Sequence, residues 1–226
     1  MKRLCALLAM LAAWPAWADL QDAQDAFVRG DYTTAFKELR PFAEQGDAEA
    51  QSNIGLMYQS GLGVPQDFAE AIKWYRLATE QGYALAQANF GSLYQLGAGV
   101  PQDYAEAVKW YRLAADQGNP LGQSNLGNMY AAGIGVPQDY AEALKWYRLA
   151  AEQGNVVAQS NLGGLYAVGY GVPQDFVQAH FWSGLATSQG HEDARRNRDK
   201  VAARMTSEQI EEAQRLTRAW EAAHPQ

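Results

Sequence analysis

Three histidines and one cysteine are the whole stock of imidazole and thiol in this 226-residue chain. They are badly placed for chemistry. His191-Glu192 has no second histidine four residues after the first, so the helical zinc-protease pattern is absent. His191 and Asp193 alone are too few ligands for a metal. Cys5 lies in the first few residues, and no Gly-x-Ser-x-Gly sets up a serine nucleophile. Gly97-Ala98-Gly99 and Gly133-Ile134-Gly135 lack the Gly-Lys-Ser/Thr tail of a phosphate loop. The sequence therefore predicts no catalytic residue, no metal and no cofactor.

The residues that do recur are amides and aromatics. Asn53, Asn89, Asn125 and Asn161 stand 36 residues apart, as do Trp74, Trp110, Trp146 and Trp182. A side-chain amide both donates and accepts hydrogen bonds. A row of them can grip the N–H and C=O groups of an extended peptide, or tie neighbouring units together. Gln59 and Gln95 fall beside the first two amides, with Ala131 and Ala167 at the later equivalents. The candidate partner-binding set is thus Asn53, Asn89, Asn125, Asn161, Gln59 and Gln95. Ser52, Ala88, Ser124 and Ser160 are expected to complete a small, neutral groove. Within these units no lysine or arginine falls on that face, which argues against a clamp for a C-terminal carboxylate. The tryptophans read as packing wedges against the next unit, and His180 as a structural residue.

The elements that must carry these ladders follow from a second repeat. Val64-Pro65-Gln66-Asp67 returns at 100, 136 and 172, and a fixed period of this size marks a stacked repeat array. In each unit Ala48–Gln59 or its equivalent has apolar residues at i, i+4, i+7 and i+8, here Ala50, Ile54, Met57 and Tyr58. Gly61 and Gly63 stop that helix. Asp67 is placed to cap a second one, with Glu70 completing a capping-box-like pattern. Phe68, Ala71, Tyr75 and Ala78 form its inner seam. Gly55, Gly91, Gly127 and Gly163 sit mid-helix, where glycine costs about 1 kcal/mol relative to alanine. Close packing that excludes a side chain is the expected reason. Four complete units run over 47–82, 83–118, 119–154 and 155–190. A divergent hairpin over 19–46 precedes them, and polar helices over 191–226 are expected to cap the last apolar face. The cap carries Arg195, Arg196, Arg198, Lys200 and Arg204, partly offset by Glu192, Asp193 and Asp199.

The stretch Gln123-Ser124-Asn125-Leu126-Gly127-Asn128-Met129-Tyr130, the Gly-x-Gly-Val-Pro-x-Asp loop and the Trp-Tyr-x-x-Ala-Ala-x-Gln-Gly helix end resemble the Sel-one-like repeat. That is the longer-loop relative of the tetratricopeptide repeat. The resemblance implies an all-α, right-handed solenoid of antiparallel helix pairs, with an inner groove lined by the first helix of each pair. It implies a scaffold or adaptor that binds a protein or peptide and is not an enzyme. A secreted branch of the family binds penicillin and hydrolyses β-lactams weakly, which gives the alternative of a cell-wall-related binder or weak β-lactam hydrolase. The repeats of that branch are stapled by cysteine pairs, which this chain lacks.

The ends set the expected compartment. Lys2-Arg3, the apolar run Leu4 to Ala13 and Ala16-Trp17-Ala18 have the layout of a secretory signal over 1–18, cleaved before Asp19. The product would be periplasmic or secreted, without thiol or disulfide. Its net charge would be −9, against −7 for the full sequence, because Lys2 and Arg3 are removed. An acidic chain with no basic stripe is a poor match for nucleic acid. No segment has the roughly 20 apolar residues of a membrane span.

Overall fold

The computed structural model describes residues 16–224. The expected signal sequence lies mostly outside the described residues. Only Ala16 to Ala18 of it falls inside, in the first turn of α1 (Ala16–Val28). Every regular element among the described residues is a helix. α2 (Tyr32–Glu44) pairs with α1. The four units then give α3 (Ala48–Ser60) with α4 (Phe68–Glu80), α5 (Ala84–Leu96) with α6 (Tyr104–Asp116), α7 (Pro120–Ala132) with α8 (Tyr140–Glu152), and α9 (Val156–Val168) with α10 (Phe176–Ser188). α11 (Glu192–Ala202) and α12 (Ser207–Ala223) end the fold. Among the described residues no helix is long and apolar enough to cross a membrane.

Each hairpin is closed by backbone chemistry that the sequence encodes locally. Gly61 takes a left-handed φ of 67°, and its N–H reaches the Met57 carbonyl. Gln66 Nε2 donates to the Gln59 carbonyl at 2.7 Å, and the glutamines of the next three loops repeat that bond. Asp67 caps α4 by accepting from the Ala69 and Glu70 N–H groups. The capping box is only half made. The Asp67 N–H goes to the Tyr58 carbonyl at 2.9 Å, and the Glu70 carboxylate turns to Trp74 Nε1 and Lys73. A carbonyl of α3 and two side chains of α4 itself thus take the groups that a full capping box would pair with each other.

The mid-helix glycines have the expected cause. A Cβ on Gly55 would lie 2.7 Å from the Tyr75 ring, on Gly91 2.9 Å from Tyr111 and on Gly127 2.7 Å from Tyr147. In the last unit Ser183 replaces the tyrosine and crowds Gly163 instead. The tyrosines are buried against the first helix of their own hairpin. Burial pushes the phenols of Tyr75, Tyr111 and Tyr147 above their ordinary range. Trp74, Trp146 and Trp182 are also buried, so the tryptophans do pack. Trp74 belongs to the core of α1–α3 and Trp146 to that of α6 and α7. Their wedge therefore serves the preceding hairpin, where the sequence pointed to the next one.

The inter-repeat glue is a glutamine ladder. Gln51, Gln87, Gln123 and Gln159 are buried. Gln123 Nε2 donates to the Ala115 carbonyl of α6 at 3.3 Å, and its Oε1 accepts from Gln153 Nε2 at the end of α8 at 2.8 Å. One amide thereby joins three helices across two units. Gln51 and Gln159 repeat both bonds, and Gln87 repeats the one from Gln117. The same side chain recurs because a buried amide must be hydrogen-bonded, and the ends of the neighbouring second helices supply its partners.

Candidate functional site

The first helices meet one another along the array: α3 touches α5, α5 touches α7, α7 touches α9 and α9 touches α11. They form one continuous face. Its exposed register in α3 is Glu49, Asn53, Leu56 and Ser60, spaced i, i+4, i+7 and i+11. The same register gives Leu85, Asn89, Ser92 and Leu96 in α5, then Leu121, Asn125, Asn128 and Ala132, then Val157, Asn161, Gly164 and Val168. Leu96 is 67% exposed and Val168 55%. From α5 to α9 this face is aliphatic and amide, without charge.

All four ladder asparagines lie on it, half-buried. They are not equivalent. Asn161 Nδ2 donates to Asn128 Oδ1 at 2.9 Å, and the same oxygen accepts from Tyr147 OH at 2.7 Å. Asn161 is thus tied to the preceding unit. The side chains of Asn53, Asn89 and Asn125 have no hydrogen-bond partner among the described residues. The glutamines beside them are already engaged. Gln59 Oε1 accepts from Tyr75 OH at 2.7 Å and Gln95 Oε1 from Tyr111 OH at 2.5 Å. Their amide nitrogens are what remains for a partner. Ser52, Ala88, Ser124 and Ser160 are buried and do not line the groove. One residue toward the core from each asparagine, they lie under the neighbouring helices.

The sequence also missed the groove's end. α11 takes a first-helix position against α9 and α10 and carries the register one step further as Asp193, Asn197 and Lys200, with Arg204 in the turn just after it. A 310 Å³ cavity between α9 and α11 is lined by Gly163, Gly164, Asn197, Lys200 and Arg204, among others. The period of 36 extended to 197 and 200 would have found these residues. The loss of the Val-Pro-Gln-Asp motif after Gly190 concealed it.

His180 is buried beneath α11 and α12. Its Nδ1 has no partner among the described residues, and it borders a cleft with Arg198, Asp199, Thr217 and Arg218. Burial first, then the Arg198 charge, lowers its pKa, while Asp199 acts the other way. Among the described residues no group of three or more His, Cys, Asp or Glu could hold a metal ion.

A model of the Sel1 repeat matches residues 48–83, 84–119, 120–155 and 156–191. A Sel1 repeat protein from Oxalobacter formigenes is 32% identical, with a TM-score of 0.75 over 92% of this chain and 88% of that one. The c5321 protective antigen of uropathogenic Escherichia coli, which displays the same fold, is 30% identical with a TM-score of 0.57, over 92% of this chain and 53% of that one. The immunity protein Pa5087 of Pseudomonas aeruginosa shares the fold at 21% identity, with a TM-score of 0.60 over 92% and 83% of the two chains. None of the curated proteins matches this chain. Sel1 repeat proteins are generally protein-interaction scaffolds without enzymatic activity. With four consecutive repeats matched and a solenoid of stacked helix pairs to carry them, the chain belongs to the Sel1 repeat family.

Proposed function

We propose that the mature protein is an exported scaffold that holds an extended segment of a partner protein along its first-helix face. The observation that carries this reading is the state of Asn53, Asn89 and Asn125: three half-buried amides in one register with no partner among the described residues. A half-buried amide without hydrogen bonds has given up part of its hydration for no return. A peptide backbone supplies both the donor and the acceptor it needs. Exposed aliphatics on the same face, Leu96, Val157 and Val168, offer contacts for alternate side chains. The Lys2-Arg3 start and the Ala16-Trp17-Ala18 site support export.

The test compares two amide ladders in one molecule. The partner is first captured by crosslinking from the native periplasm, where the captured protein should begin at Asp19. Asn89→Ala with Asn125→Ala should weaken binding by about 1 kcal/mol per hydrogen bond lost, with little change in melting temperature. Gln123→Ala removes two inter-helix hydrogen bonds, the one to the Ala115 carbonyl and the one from the Gln153 amide. It should cost about 1–3 kcal/mol of stability while the folded fraction binds normally. A sharp loss of stability in the asparagine variant with normal binding would make its ladder structural too.

A further inference from the structure

We propose that the groove is directional: it takes an extended peptide with its C-terminal carboxylate against Lys200 of α11 and Arg204 of the turn that follows it, and its N-terminal portion toward Glu49 of α3. This rests on the peptide-groove reading above and adds an orientation to it.

The charge along the register carries the argument. The four exposed positions of the groove are neutral from α5 through α9 and charged only at the two ends. At one end Glu49 has no cationic partner among the described residues. It borders a 270 Å³ cavity between α1 and α3 with Phe27, Val28 and Asn53. At the other end Lys200 and Arg204 stand where α9 has Gly164 and Val168. Neither has an acidic partner among the described residues, although the other cations of α11 do: Arg195 pairs with Glu192, Arg196 with Asp193 and Arg198 with Asp199. The remaining acid of the register, Asp193, is therefore neutralised. The Arg204 guanidinium lies 4.5 Å over the Phe176 ring, which holds it at the cavity rim. Gly164, where a Cβ would meet nothing within 4 Å, leaves the room beneath.

The groove also stops there. α12 packs on α10 rather than beside α11, so among the described residues no further first helix extends the face. A chain end fits this geometry better than a continuing strand, and a terminal carboxylate accepts from both cations in charge-assisted bonds. Opposite charges at the two ends of a neutral channel favour one orientation over its reverse.

A library of nonapeptides built from Ala, Val, Leu, Ser, Thr, Asn and Gln tests this, because its only carboxylate is the terminus. Each peptide is made as free acid and as amide, and binding is read by fluorescence anisotropy. The free acids should bind roughly tenfold tighter. Lys200→Gln with Arg204→Gln should abolish the difference, and Lys200→Gln alone, at an exposed site, should narrow it. A nitroxide on the peptide N-terminus should broaden amide resonances of α3 rather than α11. Equal binding of acid and amide, or broadening at α11, overturns the orientation and leaves the groove reading standing. No binding by either form overturns the groove reading, and the orientation with it.

Discussion

α8 and α10 occupy the same place in consecutive repeats, yet one faces solvent and the other is covered. In α8 the outward positions are Lys145, Arg148, Leu149 and Glu152, and Leu149 is 39% exposed. α4 and α6 present the same types, with Leu77 and Leu113 also exposed. In α10 the equivalents are Phe181, Gly184, Leu185 and Ser188, and Leu185 is 0% exposed. α12 makes the difference. It packs on this face of α10, and Leu216 and Trp220 join the core to which Leu185 belongs. Gly184 stands where three repeats carry arginine, and a Cβ there would lie 3.2 Å from Thr217 Oγ1. What reads in sequence as decay of the fourth repeat is the surface on which the cap docks. A repeat face that stays charged stays open, and one stripped of Lys, Arg and Glu becomes core.

The widest separation expected from this comparison is between two leucines of identical register. Leu185→Ala should cost about 2–5 kcal/mol, the range for emptying a buried leucine site. Leu149→Ala should cost well under that, about 0.5–1 kcal/mol, because much of its surface is already in water. Urea unfolding of both variants measures the gap. Equal losses would mean that α12 does not seal this face.

Restoring the repeat residue attacks the same contact from the other side. Gly184→Arg gains helix propensity but drives a guanidinium into Thr217. It should destabilise by about 1–3 kcal/mol, the usual range for overpacking. Hydrogen exchange should show lost protection in α12 while α3 to α8 keep theirs. Unchanged protection of α12 would break the docking account.

The smallest effect concerns His180, which replaces Ile72, Val108 and Leu144 of the open repeats. Its pKa in the folded state is lowered, so the unfolded chain binds its proton more readily. The contribution to stability is present above the ordinary histidine range near pH 6.5 and declines as pH falls below it. Melting temperatures from pH 7.5 to 5 should therefore drop more for the wild type than for His180→Leu. Parallel curves would show that His180 is not the group that senses pH. Arg198, Arg218 and Asp199 face the same cleft.

The repeat period, the helix pairs, the caps at Asp67 and its three copies, and the reason for Gly55, Gly91 and Gly127 were all legible in the sequence. Each is settled within one 36-residue unit by capping, turn geometry and apolar spacing, so four copies state it four times. The asparagine register was legible for the same reason. Which amides are free was not. Asn161 and Asn125 are the same residue at the same register, yet Asn161 is bonded because Asn128 replaces Ser92 one unit back. Gln51 and its copies looked no different in sequence from Gln59, but only the stack buries them against carbonyls of the preceding hairpin. The burial of Ser52 and Ser124, the covering of Leu185 and the arrival of Lys200 and Arg204 at the groove's end were likewise decided by the assembled fold. The physical reason is one of range. Local backbone chemistry is written into each unit, whereas burial and unpaired charge depend on which helix lies next to which, and the packing of α11 and α12 on the last repeat fixes that only once the array is complete.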